Sequence, residues 1–100
     1  MVGVSFVKFL VLWNFQAEIK VGLPEVAKMI SSLQDYAKEL EQQKKLERYY
    51  HVVGRHGGAW IFDVSSNEEL EVLLARMSVY NFAKYEIYPL SDMKAPSGTH

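Results

Sequence analysis

Residues 4–13, Val-Ser-Phe-Val-Lys-Phe-Leu-Val-Leu-Trp, are apolar at both sets of alternating positions. That pattern belongs to a strand covered on two faces, not to one that is half in water. A loop from Asn14 to Leu23, weakly amphipathic in its middle, is expected next, and Gly22-Leu23-Pro24 then opens a helix, with proline in the first turn, where the amide it lacks would go unpaired anyway. Val26, Ile30, Leu33, Ala37 and Leu40 step by four, three, four and three residues and make one stripe. Gln34, Asp35, Lys38, Glu39, Glu41 and Gln42 fill the opposite side. The periodicity predicts a helix over roughly 24–44.

Leu46 to Val53 reads as a second strand, carried by Tyr49, Tyr50, Val52 and Val53. Gly54-Arg55-His56-Gly57-Gly58 offers the positive-φ positions of a hairpin, and Ala59 to Val64 returns as a third strand. Ser65 and Ser66 each precede a glutamate by three residues, Glu68 and Glu69, so two capping-box registers overlap at the start of a second helix. That helix runs to about Met77 and buries Leu70, Leu73, Leu74 and Met77. Lys84 to Tyr88 is a fourth strand ended by Pro89, and residues 92–100 read as a flexible tail behind a single domain of residues 1–91. The order β-α-β-β-α-β predicts an α+β, ferredoxin-like sandwich with both helices on one sheet face. The first strand supplies apolar residues to both faces, and the third adds Trp60, Phe62 and Val64 on one side with Ala59 and Ile61 on the other. A second copy of the chain is expected to cover the face without helices, giving a dimeric α+β barrel.

From Leu46 to Leu90 the chain resembles, without a gap, the muconolactone delta-isomerase family. The resemblance rests on Val53-Gly54-Arg55-His56, on Ile61-Phe62-Asp63-Val64-Ser65-Ser66 with Glu69-Leu70, and on Lys84-Tyr85-Glu86-Ile87. The family carries a Gly-His hairpin, a Phe-Asp-Val-Pro-Ser segment, a Glu-Ala-Leu helix start and an Asp-Ile-Glu-Val strand. Phe6-Val7-Lys8 is similar to the family's opening His-Val-Lys. The resemblance implies a small ferredoxin-like subunit assembled through dimers. It also implies a cofactor-independent isomerase that moves a double bond in a lactone by taking a proton from one carbon and returning one at another. Such chemistry needs a base, a group that stabilises enolate charge and a pocket that excludes water. Glu47-Arg48 stands where the family has Arg-His, His51 where it has Arg, and Ser78-Val79-Tyr80-Asn81 where it has Pro-Leu-Phe-Pro. Substrate contacts are not carried over at those positions.

Charge and composition narrow the alternatives. Eleven Lys and Arg against twelve Asp and Glu leave a net charge of −1, so no basic field exists for nucleic acid or an anionic membrane. The apolar opening is too short to span a bilayer, carries Lys8 in its middle, and lacks a signal-peptide cleavage site. No cysteine is present, so thiol catalysis and thiolate metal sites are excluded and a cytoplasmic protein is expected. The histidines show no metal-ligand spacing, and no cofactor is expected.

Five residues are candidates for the chemistry. Lys8 interrupts an apolar strand and either holds a carboxylate or enolate inside the barrel or pairs with Glu86 on the neighbouring strand. Glu86 is a candidate base, its affinity for a proton raised by burial or lowered by Lys8. Arg48 suits a bidentate grip on a substrate carboxylate, and Tyr50 shares its face; His51 is a candidate proton shuttle on the other face, together with Glu47 and Tyr49. Each is also compatible with a solvated strand surface, which keeps open a non-catalytic binding or assembly module and a cofactor-free monooxygenase on the same scaffold.

Overall fold

The computed structural model describes residues 7–15, 22–54 and 57–91. The expectations placed on Val4, Phe6, Arg55, His56 and the tail lie outside the described residues. The elements are β1 (Val7–Phe15), α1 (Leu23–Gln42), β2 (Leu46–His51), β3 (Gly57–Val64), α2 (Asn67–Ala75), a 3-10 turn at Tyr80–Phe82, and β4 (Ala83–Leu90). The sheet order is β2-β3-β1-β4 and each neighbouring pair is antiparallel, which is the ferredoxin-like arrangement.

Alternation along the two central strands sorts the layers. Phe9, Val11 and Trp13 of β1 and Trp60, Phe62 and Val64 of β3 are buried in one cluster with Leu33, Ala37 and Leu40 of α1 and Leu70, Leu73 and Leu74 of α2. Both helices therefore lie on one face, as the crossover rule requires. Burying each such side chain contributes about 1.5–3 kcal/mol. The Tyr36 hydroxyl of α1 donates to the Leu73 carbonyl of α2 at 2.7 Å, and the Ser78 hydroxyl donates to the Met29 carbonyl at 2.8 Å, tying the two helical segments together. Burial raises the pKa of Tyr36.

Several boundaries differ from the sequence expectation for local reasons. α1 stops at Gln42 because Gln43 caps it and Lys44 turns left-handed at φ 61°. The Lys45 amide then bonds back to the Leu40 carbonyl at 2.9 Å and the Lys44 amide to Glu41 at 3.0 Å, the paired bonds of a Schellman stop with lysine in the place usually held by glycine. β4 runs past Pro89 to Leu90 because β4 is an edge strand, where a missing N–H is tolerated. In the hairpin Gly54 alone among the described residues has the positive φ expected there, at 85°. Gly57 and Gly58 belong to β3, which begins two residues earlier than expected.

The two capping registers resolve in favour of Ser66. Its hydroxyl accepts from the Glu69 amide at 3.0 Å, while the Glu69 carboxylate accepts from the Ser65 amide at 2.7 Å and the Ser65 hydroxyl at 3.0 Å. Glu69 also forms an ion pair with Lys45, which the α1 stop has just delivered to this spot. The Lys45 bond first, then the Ser65 amide, lower the Glu69 pKa from 4.5 to about 2. A carboxylate depressed on folding contributes stability above its unfolded value, and that contribution disappears as pH falls from about 4.5 towards 2. Glu69→Gln is therefore expected to be less stable than the native protein at neutral pH, by on the order of 1–2 kcal/mol. The gap should narrow as pH falls below about 4.5 and close only near pH 2, which thermal unfolding of both proteins between pH 7 and pH 2 would measure.

Candidate active site

The face of the sheet turned away from the helices carries four of the five sequence candidates. Reading across from β2 to β4, one row is Arg48, Ile61, Leu10 and Tyr88, and the next is Tyr50, Ala59, Leu12 and Glu86. Leu10, Leu12, Ala59 and Ile61 form a half-buried apolar centre that no part of the described chain covers. Around it stand the exposed Lys8, Arg48, Lys84, Glu47 and Glu86 with the half-buried Asp63. Arg48 and Glu86 sit on opposite edges, three strand spacings or about 14 Å apart, so within one chain they do not converge.

Lys8 does not pair with Glu86. It pairs with Glu47 at 2.7 Å, because the register sets Lys8 against Leu90 and puts Glu86 four residues further along β4, about 13 Å away. Glu47 reaches Lys8 through a bulge between Leu46 and Arg48, where two residues of β2 oppose one of β3. The bulge moves Glu47 off the face of Tyr49 and His51, where strict alternation had placed it. Glu86 instead accepts from the Tyr88 hydroxyl at 2.9 Å, a bond that raises the pKa of Tyr88.

His51 lies on the helix side, in a different setting. It is the last residue of β2 and opposes Gly58, which in turn opposes Trp13 of β1. Between His51 and Trp13 the row has no side chain, and above that gap α1 presents Ile30, Leu33, Gln34 and Ala37. The result is a cavity of about 310 Å³ with Gly58 as its floor, Trp13, Phe15, Tyr49 and Trp60 as aromatic walls and His51 at its exposed rim. Among the described residues no lysine or arginine lines it. Ile30, which the helical stripe assigned to the core, is 42% exposed because it borders this opening. Tyr50 contributes to the same wall, its carbonyl lying beside Gly58 while the side chain alternates towards the open face.

Trp13 is 7% exposed, yet its indole N–H finds no hydrogen-bond partner among the described residues. Its ring is held edge-on by Phe15, at a centroid distance of 6.0 Å, and by Trp60, at 6.5 Å. A Cβ on Gly58 would come within 2.9 Å of the indole nitrogen and 2.9 Å of the Tyr50 carbonyl. Gly58→Ala is therefore expected to push Trp13 across the cavity, destabilise the fold by about 1–3 kcal/mol and abolish ligand uptake. Denaturant unfolding and substrate titration of the variant would check both effects.

A second cavity, about 490 Å³, opens under α2 between Phe9, Leu70, Leu74, Tyr80, Tyr85 and Ile87. Burial raises the pKa of Tyr85, whose hydroxyl is also without a partner among the described residues. Glu68 and Glu71 stand at this cavity, so it disfavours an anionic ligand. For a carboxylic acid substrate the cavity under α1 is the better host. Among the described residues no three acidic or imidazole groups gather to hold a metal, and no helix is long and apolar enough to cross a membrane.

Comparison with known proteins agrees with this fold and directs the chemistry. The profile of the muconolactone delta-isomerase family matches residues 7–95. The muconolactone delta-isomerase of Acinetobacter baylyi is 34% identical over 83 residues, covering 77% of this chain and 86% of that protein. The corresponding protein of Cupriavidus pinatubonensis is 37% identical over 62 residues, 62% of this chain and 65% of its own length. The crystal structure of a muconolactone isomerase superposes with a TM-score of 0.76 at 18% identity, covering 93% of this chain and 95% of that one.

Proposed function

Because the chain belongs to the muconolactone delta-isomerase family, we propose that it shifts a double bond in a small lactone carboxylate, with muconolactone the foremost candidate, by proton transfer in the cavity under α1. The observation that carries this placement is the imidazole of His51 at the rim of an aromatic-walled cavity whose other described lining residues are uncharged. Histidine is the side chain whose ordinary chemistry moves protons near neutrality. His51 takes a proton from a ring carbon conjugated with the lactone carbonyl, and the electron pair spreads through the ring onto the carbonyl oxygen. The same proton, or one exchanged with water, returns to another carbon of the conjugated system. The sequence is redox-neutral, and apolar walls keep bulk water from the enolate.

A second copy of the chain completes the reading. The uncovered centre of Leu10, Leu12, Ala59 and Ile61, bordered by Lys8, Arg48 and Lys84 and by Glu47, Asp63 and Glu86, is apolar inside and charge-balanced outside. Such a surface is suited to its own copy. It also favours one alternative site: in a chamber closed by the partner's sheet, Lys8, Arg48, Tyr50 and Glu86 could meet a substrate that they cannot share within one chain.

Incubation with (S)-muconolactone in deuterated water, followed by NMR, tests the activity. Loss of substrate with deuterium appearing at a ring carbon supports it. Unchanged substrate at high protein concentration rejects it.

A further inference from the structure

We propose that the Trp13 indole N–H is the hydrogen-bond donor to the lactone carbonyl oxygen, so that the ring enters the cavity carbonyl-first with its carboxylate left at the rim. The assignment rests on the cavity under α1 being the place of the isomerisation. It begins from an anomaly: a donor this deeply buried has no partner among the described residues, which is costly, and the sheet is built to keep it so. Phe15 and Trp60 fix the ring from two sides, and Gly58 removes the side chain that would otherwise occupy the space beside the indole nitrogen. The indole nitrogen thereby lies beside Gly58, a lining residue of the cavity, in the row that Trp13 and Gly58 share with His51.

The chemistry of the donor selects what it can hold. An indole N–H donates and does not accept, so its partner is an acceptor. With no lysine or arginine in the lining among the described residues, a carboxylate at the inner end would be a desolvated charge without a cation beside it there. A neutral carbonyl oxygen meets no such penalty. The carboxylate then remains at the exposed rim, where Gln34 and His51 stand. As His51 withdraws the proton, negative charge grows on the carbonyl oxygen and its bond to the indole strengthens. The charge falls again when the proton returns to carbon. Trp13 therefore acts mainly on the transition state and touches the reacting system directly.

The chain has two tryptophans, so its indole N–H resonances are resolved by spectroscopy and assigned through Trp13→Phe, which keeps an aromatic ring in the wall. The probe is the saturated γ-lactone acetate, which lacks a double bond to move. A saturable downfield shift of the Trp13 indole proton on titration, absent for Trp60, supports the proposal. So does a kcat for Trp13→Phe lowered by roughly a hundredfold with KM changed far less. A silent Trp13 resonance in a protein that turns over muconolactone overturns this assignment and leaves the isomerase reading standing. The indole shift without turnover keeps the donor and removes the isomerase reading. Thermal unfolding of Trp13→Phe near that of the native protein separates loss of the donor from loss of the fold.

Discussion

His51→Ala should lower kcat by roughly a hundred- to ten-thousandfold, the range associated with a positioned acid or base. The residue ends an edge strand and is exposed, so the fold should lose no more than about 0.5 kcal/mol. The same substitution should stop deuterium exchange into substrate, because proton removal from carbon is the step it abolishes. KM should move little, since the aromatic walls and the indole donor remain in place. His51→Gln retains bulk and hydrogen bonding without the ability to cycle a proton and should be as inactive as the alanine variant. If both variants turn over at the native rate while Arg48→Ala and Glu86→Gln fail, the reaction belongs to the opposite face of the sheet. Steady-state kinetics on the four variants decides between the two.

What was legible in the residues was whatever depends on local pattern. Alternation in β1 marked both of its faces as apolar, and the structure bears this out with Phe9, Val11 and Trp13 towards the helices and Leu10 and Leu12 away from them. The serine-glutamate spacing located the start of α2, leaving packing to choose Ser66 over Ser65. The site was less legible because it arises from register. Nothing near His51 in sequence announces Trp13, 38 residues earlier; they meet because β3 lies between their strands and contributes a glycine to their shared row. Gly58 read as a turn residue and Trp13 as core, each a sound local reading of a residue whose role appears once the strands are aligned. The bulge in β2 is a similar case, since one extra residue sent Glu47 to Lys8 and left Glu86 to Tyr88. A glycine pair in a strand opposite a buried tryptophan was the available signal for a cavity.

Ile61→Asp should convert the proposed dimer to monomer. Ile61 lies in the apolar centre of the open sheet face, flanked by Arg48 on β2 and Leu10 on β1. Under a second copy the new carboxylate would be desolvated, at a cost of several kcal/mol, enough to dissolve a small interface. In the separated chain that cost vanishes: the site is half-buried, and Arg48 stands directly across from the aspartate, an opposite-charge pair contributing about 0.2–1 kcal/mol. Light scattering should therefore show a folded monomer for the variant and a larger species for the native protein. A native protein that is itself a monodisperse monomer, or a variant that assembles unchanged, would remove the partner from the account. The monomer also separates the two placements of chemistry, because the cavity of His51 and Trp13 lies on the helix side of the sheet, built from one chain. Turnover that survives in the monomer places catalysis under α1, whereas turnover lost with the partner places it between the sheets.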